Sequence, residues 1–91
     1  NEVGARMKYG SGMITVCGYV DGVRVNEFTG KPYVVLAESP ISWRLRWVFC
    51  YFQESDMPLL AQLRKGSFVS ISGRFDSTLA GSVWLKDCVL R

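Results

Sequence analysis

The chain has 91 residues and a formal net charge of +3, so we expect one domain, residues 1–91, with only a slight basic excess. Hydrophobic residues make up 48% and charged residues 21%, which excludes an intrinsically disordered chain. No apolar run approaches the roughly 20 residues of a membrane-spanning helix. Because the sequence begins at Asn1, we also expect a fragment or a processed form whose leader is missing.

The first third of the sequence predicts a helix followed by a strand. Residues 1–9 carry apolar side chains at roughly helical spacing, which indicates a short N-terminal helix. Residues 13–25 alternate with period two and indicate a first strand, bent at Gly18 or Gly22. Glycine and proline within residues 27–32 then predict a turn.

Two strands and one helix are predicted in the middle of the chain. Residues 33–38 give the second strand, and residues 44–52 give a third strand rich in aromatic and β-branched side chains. Residues 55–66 predict a helix, with Pro58 suited to its first turn and Gly66 to its end. The apolar stripe of this helix consists of Leu59, Leu60 and Leu63.

The C-terminal part predicts two more strands. Residues 68–75 alternate as a fourth strand, residues 76–82 form a turn, and residues 83–90 form a fifth strand. A bulge at Lys86-Asp87 keeps four apolar side chains of the fifth strand on one face. These four are Val83, Leu85, Cys88 and Leu90.

The order of these elements indicates the fold. Five short strands must hide their edges, and a small closed barrel does so. A helix between the third and fourth strands can plug the open end of such a barrel. The sequence therefore predicts a mainly β protein, a five-stranded Greek-key OB-fold barrel, with an open α+β sheet as the competing architecture.

Motifs along nearly the whole chain resemble the tRNA-anticodon-binding-like (tRNA_anti-like) family of bacterial OB-fold domains. The motifs are Asn1-Glu2-Val3 followed by Lys8-Tyr9, Val16-x-Gly18-x-Val20, Phe28-Thr29-Gly30-Lys31-Pro32-Tyr33-Val34-x-Leu36, Cys50-Tyr51-Phe52, Leu60-x-x-Leu63-x-Lys65-Gly66, Val69-x-Ile71-x-Gly73 and Leu85-Lys86-Asp87-Cys88.

This resemblance implies an OB barrel with a nucleic-acid-binding role. Many domains of the family belong to exported or lipid-anchored bacterial proteins, so the resemblance favours an exported location over a cytoplasmic one and leaves the compartment open. The sequence departs from the family pattern in two places. Residues 39–47 are longer and more aromatic than expected, and Phe75 stands where relatives have cysteine, which puts any family disulfide pattern in doubt.

The third strand offers two sets of side chains for the core. One set is Val48, Cys50 and Phe52; the other is Trp47, Phe49 and Tyr51. Arg44 and Arg46 share the parity of the first set, which favours turning that set outward. The narrow interior of a five-stranded barrel argues the other way, because Trp, Phe and Tyr would overpack it. We expect the first set inside, as the family resemblance also implies.

The outward aromatic residues and nearby cations then form a candidate site for single-stranded nucleic acid, in which bases stack on rings and basic groups contact phosphates. The predicted site consists of Lys31, Tyr33, Arg44, Arg46, Trp47, Phe49, Tyr51, Arg74 and Lys86. Alternatively, the N-terminal segment, the loop at residues 39–43, a second copy or another protein covers the rings, which would make this a protein-interaction or oligomerisation domain.

The three cysteines and the absence of histidine limit the chemistry. We expect no metal, no cofactor and no enzymatic activity, because no metal-ligand spacing, nucleophile–base pair or paired carboxylates can be recognised. Cys50 and Cys88 are expected to be buried on neighbouring strands, with Cys17 nearer the surface. Free thiols and a Cys50–Cys88 disulfide both remain open, and the disulfide would require an oxidising compartment.

Overall fold

The computed structural model describes residues 6–8, 12–38, 47–79 and 81–91, with the backbone alone for residues 6–8 and 79. The six strands in this part of the chain are β1 (Arg6–Lys8), β2 (Met13–Val25), β3 (Pro32–Ala37), β4 (Trp47–Tyr51), β5 (Phe68–Leu79) and β6 (Ser82–Leu90). Between β4 and β5, a 3-10 turn (Glu54–Asp56) leads directly into a short helix, α1 (Met57–Leu60). The predicted first to fifth strands thus correspond to β2 to β6.

The strands close into a barrel. They are ordered β1-β2-β3-β4-β6-β5, and a further pairing of β2 with β5 completes the ring. The long β2 makes this closure possible, because its first half pairs with β5 and its second half with β3. β4 and β6 run parallel, whereas the other described pairings are antiparallel. This connectivity confirms the predicted five-stranded OB-fold barrel.

The barrel interior is filled by alternate side chains of its five strands. On β4, Val48 and Cys50 face inward together with Phe52 just beyond the strand, as the narrow-interior argument predicted. The rest of the buried cluster consists of Val16, Val20, Val34, Leu36, Leu60, Ile71, Leu85 and Cys88. Burial of these apolar side chains is the main source of the stability of the fold.

Three register shifts interrupt the alternation of the long strands, one between β2 and β3 and two between β5 and β6. The register of β2 against β3 shifts between Val20 and Gly22, close to the predicted bend. The register of β5 against β6 shifts between Ser72 and Arg74, and Asp87 has a φ of 50°. The predicted bulge at Lys86-Asp87 is therefore confirmed, and it returns Cys88 to the interior.

The structure corrects three predicted elements: the N-terminal helix, the turn at residues 76–82 and the helix over residues 55–66. In the predicted N-terminal helix, residues Arg6–Lys8 instead form β1, because they supply backbone partners to the start of β2; residues 1–5 and 9 lie outside the described part. The predicted turn at residues 76–82 is shorter, since β5 continues to Leu79 in register with β6.

The predicted helix over residues 55–66 was also too long. Helical structure ends at Leu60, which is fully buried, and turns follow as far as Gly66, which has a φ of +89°. Leu63 packs against the core, but Leu59 is half exposed, so the apolar stripe covers the barrel end with two leucines rather than three. Within the described residues, no helix has the length and hydropathy needed to cross a membrane.

Candidate nucleic-acid interface

Aromatic rings gather on one outward side of the barrel. Phe49 on β4 and Trp84 on β6 stack with ring centroids 4.2 Å apart and an interplanar angle of 18°. The Tyr51 ring centroid lies 5.9 Å from that of Trp84 and 4.9 Å from that of Tyr33. The ring centroids of Tyr33 and Phe49 are 6.1 Å apart. We call these four residues and Trp47 the aromatic face; all five are partly exposed.

Strand register explains why these rings meet. Tyr33 is opposite Tyr51 in the β3–β4 pair, and Phe49 is opposite Trp84 in the parallel β4–β6 pair. Residues directly opposite each other share a face of the sheet, so their side chains contact one another. Trp47 is opposite Ala37, at the end of β4 away from Tyr51.

Trp84 was missing from the predicted site. Its neighbours Val83 and Leu85 point into the core, so alternation along β6 turns Trp84 outward. That alternation was readable from the sequence, but its position beside Phe49 depends on the parallel pairing of the third and fifth barrel strands.

Cations border the aromatic face on both sides. On β2, Arg24 is opposite Tyr33, and its guanidinium reaches back along the strand, 3.8 Å from where a β-carbon on Gly22 would lie. Sequence reasoning missed Arg24, because its orientation depends on the bulge that precedes it.

On the other side, Lys86 follows Trp84 by two residues on β6 and is opposite Arg74 of β5. The Lys86 ammonium lies 3.9 Å from the Asp76 carboxylate, and both side chains are about half exposed. Such an exposed pair contributes little to stability. It does offset one of the two positive charges at this border.

Hydrogen bonds of the Asn26 side chain hold the loop between β2 and β3 together and connect it to the aromatic face. The Asn26 side-chain oxygen accepts hydrogen bonds from the backbone N–H groups of Phe28 (2.8 Å) and Thr29 (3.2 Å). The Asn26 amide nitrogen donates to the Tyr51 hydroxyl at 3.1 Å. Phe28, at the tip, is 98% exposed, which sequence reasoning did not anticipate for a phenylalanine.

The predicted cations are distributed unevenly. Lys31 is exposed at the end of the β2–β3 loop, and Arg74 and Lys86 are neighbours on the outward side of β5 and β6. Arg44 and Arg46 lie outside the described residues.

A contrasting surface lies on the outward side of β2 and β5. Thr15 and Ser72 share a hydrogen bond of 2.8 Å between their hydroxyls, and the Cys17 thiol lies 3.0 Å from the Ser70 hydroxyl. Arg91 Nε donates to the Ser72 hydroxyl at 2.9 Å. We call Thr15, Cys17, Ser70 and Ser72 the hydroxyl ladder, and at one end of it Tyr19 and Phe68 form an edge-to-face pair at 5.1 Å.

The three cysteines are free thiols, and Cys50 and Cys88 are buried as expected while Cys17 is partly exposed. A side-chain hydrogen bond to Cys88, together with burial and the charge repulsion between two thiolates, raises the pKa of the Cys50 thiol well above its ordinary value. Within the described residues, no group of three or more Cys, Asp or Glu side chains is placed to hold a metal ion.

Comparison with known protein families identifies the domain. The tRNA_anti-like family model matches residues 1–89, almost the whole chain. The chain belongs to the tRNA_anti-like family. A search of curated proteins gave no significant match. For this tRNA_anti-like domain, family membership and the closed barrel therefore agree on an OB-fold module of the type that binds nucleic acids.

Proposed function

We propose that this tRNA_anti-like domain is a non-catalytic module that binds single-stranded nucleic acid across the aromatic face. The observation that carries the proposal is a continuous group of four contacting rings, Tyr33, Phe49, Tyr51 and Trp84, bordered by cations on both sides. Stacking of a base on an aromatic side chain contributes about 1–3 kcal/mol and tolerates any base.

The strand directions set the path of the ligand. From Arg24 on β2 to Lys86 on β6, the face crosses three interstrand spacings of about 4.8 Å each, or about 14 Å in all. A single strand lying across the strands can therefore place successive bases on the rings and its phosphates near the bordering cations. Bases in an intact duplex have no free faces to offer, which favours a single-stranded ligand.

The β2–β3 loop extends this surface. Exposing nearly all of a phenylalanine ring costs about 2 kcal/mol relative to burying it, and nothing in the turn itself requires an aromatic residue at Phe28. The hydrogen bonds of Asn26 fix the loop and the Tyr51 ring together before any ligand arrives. Such preorganisation lowers the entropic cost of binding, so Phe28 can stack on a further base.

Electrostatics contribute less than stacking. The net charge is only +3, and Asp76 offsets part of the charge of Lys86. We therefore expect moderate affinity, little preference among bases and a shallow dependence on salt, with a slope of about 0.7 for each phosphate contacted by a cation.

A direct titration tests the proposal. Fluorescence anisotropy with labelled single-stranded DNA and RNA of about 12 nucleotides, inside the ~4–16 nucleotides that OB barrels cover, is measured at about 20 mM and 150 mM salt. We expect saturable binding that weakens with salt, and a monomer by size-exclusion chromatography. Trp84→Ala is expected to weaken binding about tenfold or more, whereas Phe68→Ala, which removes a more exposed ring on the other outward side, leaves it unchanged.

Two results would contradict the proposal. One is the absence of binding at low salt by a folded domain. The other is a stable dimer whose affinity for oligonucleotides is unaffected by Trp84→Ala, which would favour a protein-interaction or oligomerisation role for the aromatic face. Circular dichroism and thermal melting of each variant separate lost binding from lost folding.

A further inference from the structure

Two thiols in the barrel core are not used by the proposed function. Cys50 lies near the end of β4 and is 0% exposed, and Cys88 lies near the end of β6 and is 5% exposed. Both side chains belong to the same buried cluster and lie on the paired strands β4 and β6, and the Cys88 side chain helps to raise the pKa of the Cys50 thiol. The two sulfur atoms are therefore neighbours in a space closed to water.

The backbone around Cys88 is shaped to hold its sulfur at this position. A β-carbon on Gly73 of β5 would lie 2.5 Å from Cys88 Sγ, so only glycine leaves room for the sulfur there. On β6, the bulge at Asp87, with its φ of 50°, turns Cys88 inward. Two independent local features thus place this thiol inside the barrel.

The third cysteine provides an internal contrast. Cys17 faces outward from β2 and contacts the Ser70 hydroxyl at 3.0 Å, on the hydroxyl ladder rather than in the core. Alternation along β2 keeps its thiol on the opposite side of the barrel wall from the other two, since its neighbour Val16 faces the core.

We propose that Cys50 and Cys88 are a redox pair that forms a disulfide inside the barrel, between the neighbouring strands β4 and β6, when the chain folds in an oxidising environment. The oxidant is a small-molecule or protein disulfide, which reacts by thiol–disulfide exchange. Two S–H bonds of the chain and the S–S bond of the oxidant are broken, and one S–S bond forms between Cys50 and Cys88. The two protons and two electrons pass to the oxidant, which leaves as two thiols.

The covalent bond would fasten β6 to its neighbour β4, so that the C-terminal strand cannot separate from the barrel. Closing a loop of this length removes freedom from the unfolded chain and favours the folded state by a factor on the order of several hundred. The corresponding rise in Tm is about 10–20 °C for a domain of this size. Because disulfides persist in oxidising compartments, the bond forms only where the chain meets such a compartment.

Refolding under redox control tests the pair. The reduced, unfolded chain is refolded in a mixture of oxidised and reduced glutathione, and remaining thiols are then alkylated in denaturant and counted by intact mass. We expect one alkylated cysteine, Cys17, and a linked pair of peptides that contain Cys50 and Cys88. We also expect a Tm at least 10 °C above that of the same sample with reductant.

Control variants keep the result interpretable. Cys17→Ser retains a hydroxyl that can bond to Ser70 and is expected to leave no alkylated cysteine after oxidative refolding. Cys50→Ala removes the partner, and its Tm is expected to be the same with and without reductant.

The proposal is overturned if the folded wild-type chain keeps all three thiols, or if its linked peptides contain Cys17. The wild-type measurement decides the question even if Cys50→Ala fails to fold. Nucleic acid takes no part in the test, so the disulfide and the proposed function succeed or fail separately.

Discussion

The two outward sides of the barrel differ in how completely their side chains are hydrogen-bonded or buried within the domain. On the hydroxyl ladder, polar groups pair across β2 and β5, and Ser72 is buried completely by its contacts with Thr15 and Arg91. On the aromatic face, rings from β3, β4 and β6 contact one another at their edges and faces but remain partly exposed.

From this difference we expect the hydroxyl ladder to serve the fold and the aromatic face to be the surface that meets a partner. Paired hydroxyl groups gain nothing further from a ligand, because each already has a hydrogen-bond partner inside the domain. Partly exposed rings still have apolar area to bury, and stacking on another flat group supplies that burial. Substitutions on the aromatic face should therefore mainly change binding, and substitutions on the hydroxyl ladder should mainly change stability.

The largest expected effect follows from removing two stacked rings. The double variant Phe49→Ala/Trp84→Ala should weaken binding of a single-stranded oligonucleotide by about 30-fold or more, since each lost stack costs at least about 1 kcal/mol. The measurement is anisotropy at low salt. As a matched control, Tyr19→Ala/Phe68→Ala removes an aromatic pair beside the hydroxyl ladder and should change affinity less than about twofold. Equal losses in the two double variants would remove the distinction between the two sides.

Ser72→Ala is the converse test on the hydroxyl ladder. It removes the hydrogen bonds to Thr15 and Arg91 at a buried position, which should lower the free energy of unfolding by about 1–3 kcal/mol. Urea denaturation measures this change, and the oligonucleotide affinity of the folded variant should stay the same. A loss of affinity without a loss of stability would show that the ladder also takes part in binding.

Arg24→Ala tests the cation that the sequence did not reveal. Its guanidinium lies beside the aromatic face, so its loss should weaken binding about fivefold and lower the salt dependence by about 0.7 in the slope. Arg64→Ala removes an exposed arginine in the segment after α1 and provides the matched control. An unchanged salt dependence in Arg24→Ala would indicate that the phosphates of the ligand do not contact Arg24.

Tyr51→Phe should have the smallest effect. The substitution keeps the ring and removes only the hydroxyl that accepts a hydrogen bond from Asn26, so the β2–β3 loop loses one tie to the aromatic face. We expect affinity to fall about two- to threefold and Tm to change by a few degrees at most. The same anisotropy assay measures it, with Tyr33→Phe as the control because Tyr33 keeps its ring contacts in that variant. If both variants behave alike, the tie to Asn26 does not organise the surface.

The sequence predicted those parts of the molecule that depend on alternation and on local chemistry. Alternation on the third strand gave the interior positions of Val48 and Cys50, and the same reasoning required the bulge at Lys86-Asp87. The interior is strictly limited in volume, so side-chain size decides the orientation of the strand.

Other parts could not be read from the sequence because they depend on contacts between distant segments. The outward direction of Arg24 follows from a register shift after Val20. The three residues of β1 are too few for a periodic pattern, and they form a strand only because β2 supplies partners. The helix ends earlier than predicted because the chain must turn back after Leu60 to reach the start of β5. The spacing of the leucines does not reveal this turn.

The aromatic face becomes complete only when β6, the last barrel strand, has joined the barrel. As the chain leaves the ribosome, β2, β3 and β4 emerge with Tyr33 and Phe49, but Trp84 and Lys86 emerge only with β6. The parallel β4–β6 pairing joins segments far apart in sequence, and such non-local pairing is slow to form. A nascent or opened domain therefore lacks a complete ring cluster, so the binding that we propose for the aromatic face depends on closure of the barrel.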